Sequence, residues 1–164
     1  MPYSYEILII GIMLALNGLF AGFEMALASI SQARLLVLMN QKRAGAASAL
    51  YLKERIGASL AALQVGVTLT SVIAAATGGA GVQEVVTPRI QEIWPLSHAV
   101  AQMLAVICVV LPLSAFTIVF GELIPKVFAI ENKEWVCLRL APVMRAFAWA
   151  IWPLAHFFEW CRMP

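Results

Sequence analysis

Three long apolar runs restrict the possible folds of this chain more than any other feature of its sequence. They cover residues 7–29, 59–82 and 99–122, and the only charges in them are Glu24 in the first run and Glu122 at the end of the third. A helix needs about 20 mainly apolar residues to cross a bilayer, and each run is long enough. The chain is 62% hydrophobic and 12% charged, about half the charge of a soluble domain. The sequence therefore predicts an all-α integral membrane protein with three transmembrane helices.

The remaining composition argues against several classes of protein. A net charge of +2 is too weak to indicate nucleic-acid binding, and no basic arm is present. The three cysteines form no CxxC pair, which argues against a disulfide framework and against a zinc site. No Ser/His or Cys/His constellation, metalloprotease motif or phosphate loop occurs. We therefore expect the chain not to be an enzyme.

Basic residues outside the apolar runs predict the orientation in the membrane. No Lys or Arg precedes the first run, which is therefore not a typical cleaved signal peptide and is interpreted as a retained helix. Basic residues gather after the first and third runs, where positive charge marks the cytoplasmic side. These residues are Arg34, Lys42, Arg43, Lys53, Arg55, Lys126, Lys133, Arg139, Arg145 and Arg162. We expect a multi-pass protein of the cell's inner (plasma) membrane, with its N-terminus outside and its C-terminus in the cytoplasm.

Two segments beside the spans are amphipathic and predict juxtamembrane helices. Residues 32–56 mix leucines with charges, which favours one or two short helices on the cytoplasmic surface. The segment 133–160 contains a short apolar run with three tryptophans, Trp149, Trp152 and Trp160. Tryptophan is enriched at headgroup depth, so an interfacial helix is expected there, with a re-entrant segment as the alternative.

Polar residues inside the first run need an explanation, because each is costly against lipid. Asn17, Glu24 and Ser31 are seven residues apart and therefore share one helical face. Asn17 lies too deep to reach water; it would bind an ion or join the first helix to the second, whereas Glu24 could reach the cytoplasmic boundary. Beside this face, Gly18 and Gly22 form a GxxxG pair, which permits close helix packing within one chain or between two chains.

The second and third runs also carry oxygen groups. Gln64, Thr68 and Ser71 are four and three residues apart in the second run. The two hydroxyls could simply bond to their own backbone, whereas the Gln64 amide favours a contact between helices. In the third run, Gly121 and Glu122 precede a proline at position 125, which removes a backbone donor and frees the Gly121 carbonyl. The alternative for Glu122 is a plain ion pair with a lysine four residues later.

Together these residues predict a cation site near the cytoplasmic ends of the spans. Carboxylate, amide, hydroxyl and carbonyl oxygens suit magnesium, calcium or sodium better than zinc or copper. The candidate ligands are Glu122, Gly121, Asn17, Glu24, Gln64, Thr68 and Ser31.

Three segments of the chain resemble a known family. They are NGLFAGFEMALAS at 17–29, QVGVTL at 64–69 and GELIPK at 121–126. In these segments the chain is similar to the transmembrane domain of the CorC/CNNM magnesium transporters. The resemblance implies a homodimer in which each three-helix protomer holds a cytoplasm-facing pocket. It also implies magnesium export, coupled to sodium entry. Members of the family continue into tandem CBS domains, which this 164-residue sequence does not contain, so we expect it to be part of a longer protein.

The chain departs from the family pattern at two positions. Family members often have Ser where this chain has Ala21, and some have Asn where it has Val67. Some relatives on this branch look like polyamine exporters, and a diamine would also need carboxylates. A third possibility is a dimeric membrane anchor that positions regulatory domains without transporting anything. It accounts for the hydrophobicity and the glycines but not for the polar residues inside the spans.

Overall fold

The computed structural model describes residues 3–81, 86–94 and 97–160, and this part of the chain contains helices and no strand. Its helices are α1 Tyr3–Ser29, α2 Gln32–Asn40, α3 Ala46–Glu54, α4 Ile56–Gly81, α5 Thr87–Ile93, α6 His98–Glu131 and α7 Lys133–Trp160. The all-α prediction is confirmed for these residues. Cys161 and part of the second predicted run, from position 82, lie outside them.

Three helices are long and apolar enough to cross a membrane, as the sequence predicts. The stretches that qualify are Ile7–Ser29 in α1, Ile56–Gly78 in α4 and His98–Glu131 in α6. The last one is longer than the predicted span 99–122, because the helix continues through Pro125 as far as Glu131.

Two π-helical turns explain how α6 accommodates its prolines. They cover Val106–Val110 and Val119–Leu123, and Pro112 and Pro125 each follow the end of one by two residues. Proline has no N–H, and its ring clashes with the carbonyl four residues earlier. A π turn widens the helix there and allows an i to i−5 bond, as Ile124 N–H makes to the Val119 carbonyl. The helix therefore continues past both prolines to Glu131.

The first helix is the centre of the bundle. It packs against α3, α4, α6 and α7. The C-terminal half of α1 provides much of the core, with Phe23, Ala26 and Leu27 fully buried, and Ile30, directly after the helix, is buried as well. Many large apolar side chains on α1, α4 and α6 remain exposed, as expected of helices that face lipid.

Three shorter or amphipathic helices gather at the C-terminal end of α1. The Lys53 Nζ atom, on α3, donates to the carbonyls of Leu27 and Ala28 at 2.8 and 3.1 Å. These are orphan carbonyls in the last turn of α1, where a cation is favoured. Arg34 on α2 binds both carboxylate oxygens of Glu134 on α7 at 2.7 and 3.0 Å. Helices therefore occupy both segments for which the sequence predicts juxtamembrane helices.

A sharp turn separates α2 from α3 and fixes how they meet α7. Gly45 has a φ of +84°, in the left-handed region that glycine adopts without strain. A Cβ atom at this position would collide with the backbone carbonyl of Leu138 on α7. Only glycine fits here, for reasons of both backbone conformation and space.

Candidate functional site

The centre of the candidate site is the Asn17 side chain, which connects three helices. It is 7% exposed, and its Nδ2 atom donates to the Gly121 carbonyl on α6 at 3.2 Å. Its Oδ1 atom accepts from the Thr70 hydroxyl at 3.0 Å and from the Ser71 hydroxyl at 3.3 Å, both on α4. Asn17 is therefore satisfied in the apolar interior by contacts on two other helices.

This geometry shows which donor satisfies the Gly121 carbonyl that Pro125 is predicted to free. The Gly121 carbonyl has lost a backbone donor, and the Asn17 amide supplies another. The approach needs glycine, since a Cβ at position 121 would come within 3.4 Å of Asn17 Nδ2 and would press on Leu14. The contact between α1 and α6 therefore depends on three residues together: Asn17 as the donor, Gly121 as the close-packed acceptor, and Pro125, which leaves that acceptor free.

A cavity of about 350 Å³ opens beside Asn17 between the three spanning helices. Four hydroxyl groups and one carboxylate line it together with the amide. These residues are Asn17, Thr70, Ser71, Ser114, Thr117 and Glu122. The rest of the lining is apolar, with Ile10, Met13 and Leu14 from α1 and Ala74 and Ala75 from α4.

Glu122 forms an ion pair at the edge of this cavity. Lys126, one turn later on α6, donates to its Oε1 atom. The Glu122 side chain keeps 38% exposure, so the carboxylate is neither buried nor isolated. The i, i+4 pair considered in the sequence is therefore present, and it coexists with the position of Glu122 on the cavity wall.

The cavity faces different halves of the spans on different helices. It extends from Asn17, near the middle of the first span, towards Ile10 at its N-terminal end and towards Gly78 at the C-terminal end of α4. On α1 and α4 this is the outer half in the topology predicted from the basic residues, because Asn17 pairs with Thr70 and Ser71 and not with Gln64. On α6 the lining residues, from Ser114 to Glu122, lie in the half predicted to face the cytoplasm, where the polar groups are expected to meet.

The region beside Pro125 is closed by close packing. A Cβ on Gly18 would lie 3.0 Å from Pro125 Cγ, and one on Gly22 would lie 3.3 Å from the Pro125 carbonyl oxygen. The GxxxG pair of α1 thus packs against α6 of the same chain. Ala21, where family members often have serine, is fully buried in this closed region.

Four of the predicted ligands lie away from the cavity wall. Gln64 and Thr68 are exposed on α4, and the Thr68 hydroxyl donates to the backbone carbonyl of Gln64 at 2.8 Å. Ser31 is the N-cap of α2 and accepts from the Arg34 N–H at 3.2 Å. Glu24 is partly buried on α1, seven residues beyond Asn17 and so about 10 Å further along the helix. Asn17, Gly121 and Glu122 are the three predicted residues that the structure brings together.

Thr70 is the important residue that the sequence interpretation missed. Its position does not fit the spacing of the Gln64, Thr68 and Ser71 series, of which only Ser71 contacts Asn17 among the described residues. The hydroxyl is buried and also bonds to its own backbone carbonyls at Gly66 and Val67, at 2.9 and 3.0 Å. The available signal was the adjacent pair Thr70–Ser71 deep in an otherwise apolar helix.

The arrangement can offer a cation several oxygen atoms but few charges. Among the described residues, no three His, Cys, Asp or Glu side chains come together as a metal cluster. Glu122 is the carboxylate on the cavity wall, and Asn17 Oδ1 and the α4 hydroxyls add neutral oxygens. A magnesium ion commonly keeps several waters and binds through one or two carboxylates, which this donor set can supply.

Comparison with known proteins identifies relatives along nearly the whole chain. Residues 8–163 match the family model described as the cyclin M transmembrane N-terminal domain. The chain is 32% identical over 151 residues to the UPF0053 protein sll0260 of Synechocystis, covering 92% of this chain and 34% of that protein. It is 27% identical to the UPF0053 protein YhdT of Bacillus subtilis, covering 90% of this chain and 32% of the relative. The chain therefore spans about a third of the length of these curated relatives.

Proposed function

Because this chain belongs to the cyclin M transmembrane domain family, we propose that it is the membrane domain of a transporter that exports magnesium from the cytoplasm. Sodium entry is the proposed driving force. The observation that carries the proposal is the cavity at Asn17, where oxygen groups from three spanning helices meet inside an apolar bundle. Polar groups at such a depth are costly and generally mark an ion or substrate path.

Glu122 is the proposed charged ligand of the transported ion. Its carboxylate is on the cavity wall and faces Lys126 at present. An arriving Mg²⁺ would replace the lysine as the partner of the carboxylate, with Asn17 Oδ1 as a neutral ligand and water completing the octahedral shell. Lys126 then has a role of its own, because it neutralises Glu122 when no ion is bound.

The position of the cavity supports a proposal about the side of the membrane on which the ion is released. The region that contains Gly18, Gly22 and Pro125 is tightly packed, and on α1 and α4 the cavity lies in the half predicted to face outside. We propose that this arrangement corresponds to the release side of the cycle. Loading from the cytoplasm would then require α1 and α6 to separate at the contact of Gly18 and Gly22 with Pro125.

Flux through the chain in proteoliposomes tests the proposal. The assay compares magnesium, sodium and putrescine as the transported cation, with Glu122→Gln as the test variant. Glu131→Gln is the matched control, since it neutralises an exposed carboxylate at the end of the same helix, α6. We expect magnesium flux from the wild type and the control and a loss of at least tenfold in Glu122→Gln. Equal flux in both variants would reduce Glu122 to a partner of Lys126, and no flux of any cation would favour the membrane anchor.

A polyamine is the second candidate substrate, and one observation favours it. The cavity has a single carboxylate at one edge and a wall of Ile, Met, Leu and Ala elsewhere. A polyamine has an ammonium group that could face the carboxylate and an alkyl chain that could face the apolar wall, so it would match this lining better than a compact divalent ion does. Putrescine flux that exceeds magnesium flux in the same assay would identify this substrate class.

Assembly and location complete the proposal. We propose a homodimer in the plasma membrane, with the N-terminus outside and no catalytic activity. The exposed apolar faces of α4 and α6 provide room for a second copy. Cross-linking in the native membrane would establish whether two copies meet there.

A further inference from the structure

A second groove lies at the other end of the molecule, between the start of α4 and α7. Its volume is about 610 Å³. Its lining combines two arginines, two aromatic residues and several small side chains. The residues used below are Tyr51, Arg55, Ala58, Arg145, Ala146 and Trp149.

Two positive charges share one aromatic ring in this groove. The guanidinium carbons of Arg55 and Arg145 lie 4.2 and 4.4 Å from the centroid of the Tyr51 ring. Both arginines are exposed, and within the described ranges neither forms an ion pair. Two guanidinium groups beside one ring concentrate positive charge in the groove, and a bound anion would offset that charge. Arginine is also the side chain best suited to phosphate, because its planar fork can donate two parallel hydrogen bonds.

The rest of the groove indicates what the anion is attached to. Arg55 immediately precedes the span that begins at Ile56, so the charges lie at the membrane boundary. From there the groove continues along α4 past Ala58, and on α7 past Ala146, where small side chains leave an apolar channel. Trp149 borders it and is 77% exposed, in the position that interfacial tryptophans take at headgroup depth.

We propose that this groove binds one anionic phospholipid, with its phosphate between Arg55 and Arg145 and an acyl chain along the alanine channel. A free phosphate would use the arginines but not the channel. A second copy of this chain would bring its own basic groove and leave buried like charges unpaired, which is costly. The lipid uses both parts of the groove, and its binding would hold α7 against α4.

Native mass spectrometry and thermal unfolding of the delipidated protein test the site. The probes are phosphatidylglycerol, phosphatidylcholine and inorganic phosphate. We expect phosphatidylglycerol to bind and stabilise more than phosphatidylcholine does, and inorganic phosphate to have no effect. Arg55→Gln and Arg145→Gln should each weaken phosphatidylglycerol binding about fivefold, the effect of one basic residue at an anionic surface. Arg139→Gln, an exposed arginine earlier on α7, is the matched control and should bind as the wild type does.

A second variant tests the channel separately from the charges. Ala146→Phe fills the groove at an exposed position and keeps both arginines, so lipid binding should fall while the fold is retained. Equal binding of the two lipids, stabilisation by inorganic phosphate alone, or Arg55 and Arg145 variants that match Arg139→Gln would overturn the proposal. Cross-links between two chains of an Ala146→Cys variant in the native membrane would also overturn it, since a second copy would then fill the groove.

Discussion

At the scale of single residues, Asn17 is the buried polar side chain whose hydrogen bonds connect three spanning helices. Its amide bridges α1, α4 and α6 through Gly121, Thr70 and Ser71. Asn17→Leu leaves the Gly121 carbonyl without its donor, and such an unpaired buried group costs about 1–3 kcal/mol. We therefore expect a clear fall in the unfolding temperature, measured in detergent.

Thr70→Val provides the graded comparison for that experiment. Valine keeps the shape of threonine, and Asn17 Oδ1 retains the Ser71 hydroxyl as a donor. The loss of stability should therefore be smaller than in Asn17→Leu. The reverse order would show that the α4 contact, and not the bond to Gly121, secures Asn17.

A second prediction at this scale concerns Cys137, which is fully buried on α7. Removal from water raises the pKa of its thiol to about 12, so almost no thiolate forms at pH 7 to 9 and the reactive species is absent. In a Cys108→Ala, Cys161→Ala background, maleimide should leave the folded protein unlabelled and label it fully in denaturant. Rapid labelling at pH 7.5 without denaturant would contradict the described burial.

The residues show which parts of the site a sequence can predict. Asn17, Gly121 and Glu122 were identified because polar groups inside spans and a Gly before Pro have physical costs that need an explanation. Gln64 and Thr68 are predicted ligands because of their spacing, the Gln64 amide and the resemblance of the segment 64–69, and none of these shows which face of α4 meets α1. Phe20 helps decide this, because its ring lies about 3 Å from where a Cβ on Gly66 would be. That contact turns Gly66 and Thr70 towards α1, and Thr68 away from it.

At the scale of helices, close packing of α1 on α6 depends on glycine. Gly22→Leu would place a side chain against Pro125, where even a Cβ is 3.3 Å from the carbonyl oxygen. Overpacking of this kind usually costs about 1–3 kcal/mol. We expect reduced thermal stability and altered flux in this variant.

Gly11→Leu is the matched control on the same helix. Nothing lies within 4 Å of a Cβ at that position, so this variant should retain the stability of the wild type. Equal behaviour of the two variants would place the Gly22 face against lipid and not against α6.

The lengths of the helices were easier to predict than their irregularities. Apolar runs located the three spans to within a few residues, except at the end of α6. There the sequence correctly indicates that Pro112 and Pro125 disturb the helix. It does not reveal that two π turns absorb the disturbance, because that outcome depends on the neighbouring helices that supply substitute donors such as Asn17.

At the scale of the whole molecule, the bond between Arg34 and Glu134 joins the ends of α2 and α7. The hydrogen bonds from Arg34 hold the pKa of the Glu134 carboxyl below its usual range. A lowered pKa stabilises the fold above the unfolded-state value, and the contribution is lost as pH falls through the folded-state value. Glu134→Gln should therefore lower the unfolding temperature slightly at pH 7, and the difference should shrink as the pH falls below about 4.3, the usual pKa of Glu, and vanish only below the lowered folded-state pKa.

High salt and a control variant test whether the effect of Glu134→Gln comes from the ion pair with Arg34. Both partners are exposed, so high salt should reduce the difference at pH 7 as well. Glu131→Gln should show no comparable dependence on pH, since no ion pair of Glu131 occurs among the described residues. A difference that does not shrink as the pH falls below about 4 would mean that Glu134 stabilises the fold through packing and not through its charge.

The contacts at Asn17 also leave no polar atom of its side chain unpaired. The hydroxyl hydrogens of Thr70 and Ser71 occupy the lone pairs of Oδ1 that a cation would use. Thr70 can give up this bond cheaply, because its hydroxyl also reaches two carbonyls of its own helix. In the proposed transport cycle, arrival of an ion would therefore exchange one occupant of Oδ1 for another, with small rotations of side chains. Under that proposal the hydroxyl groups of Thr70 and Ser71 would satisfy Oδ1 between one ion and the next.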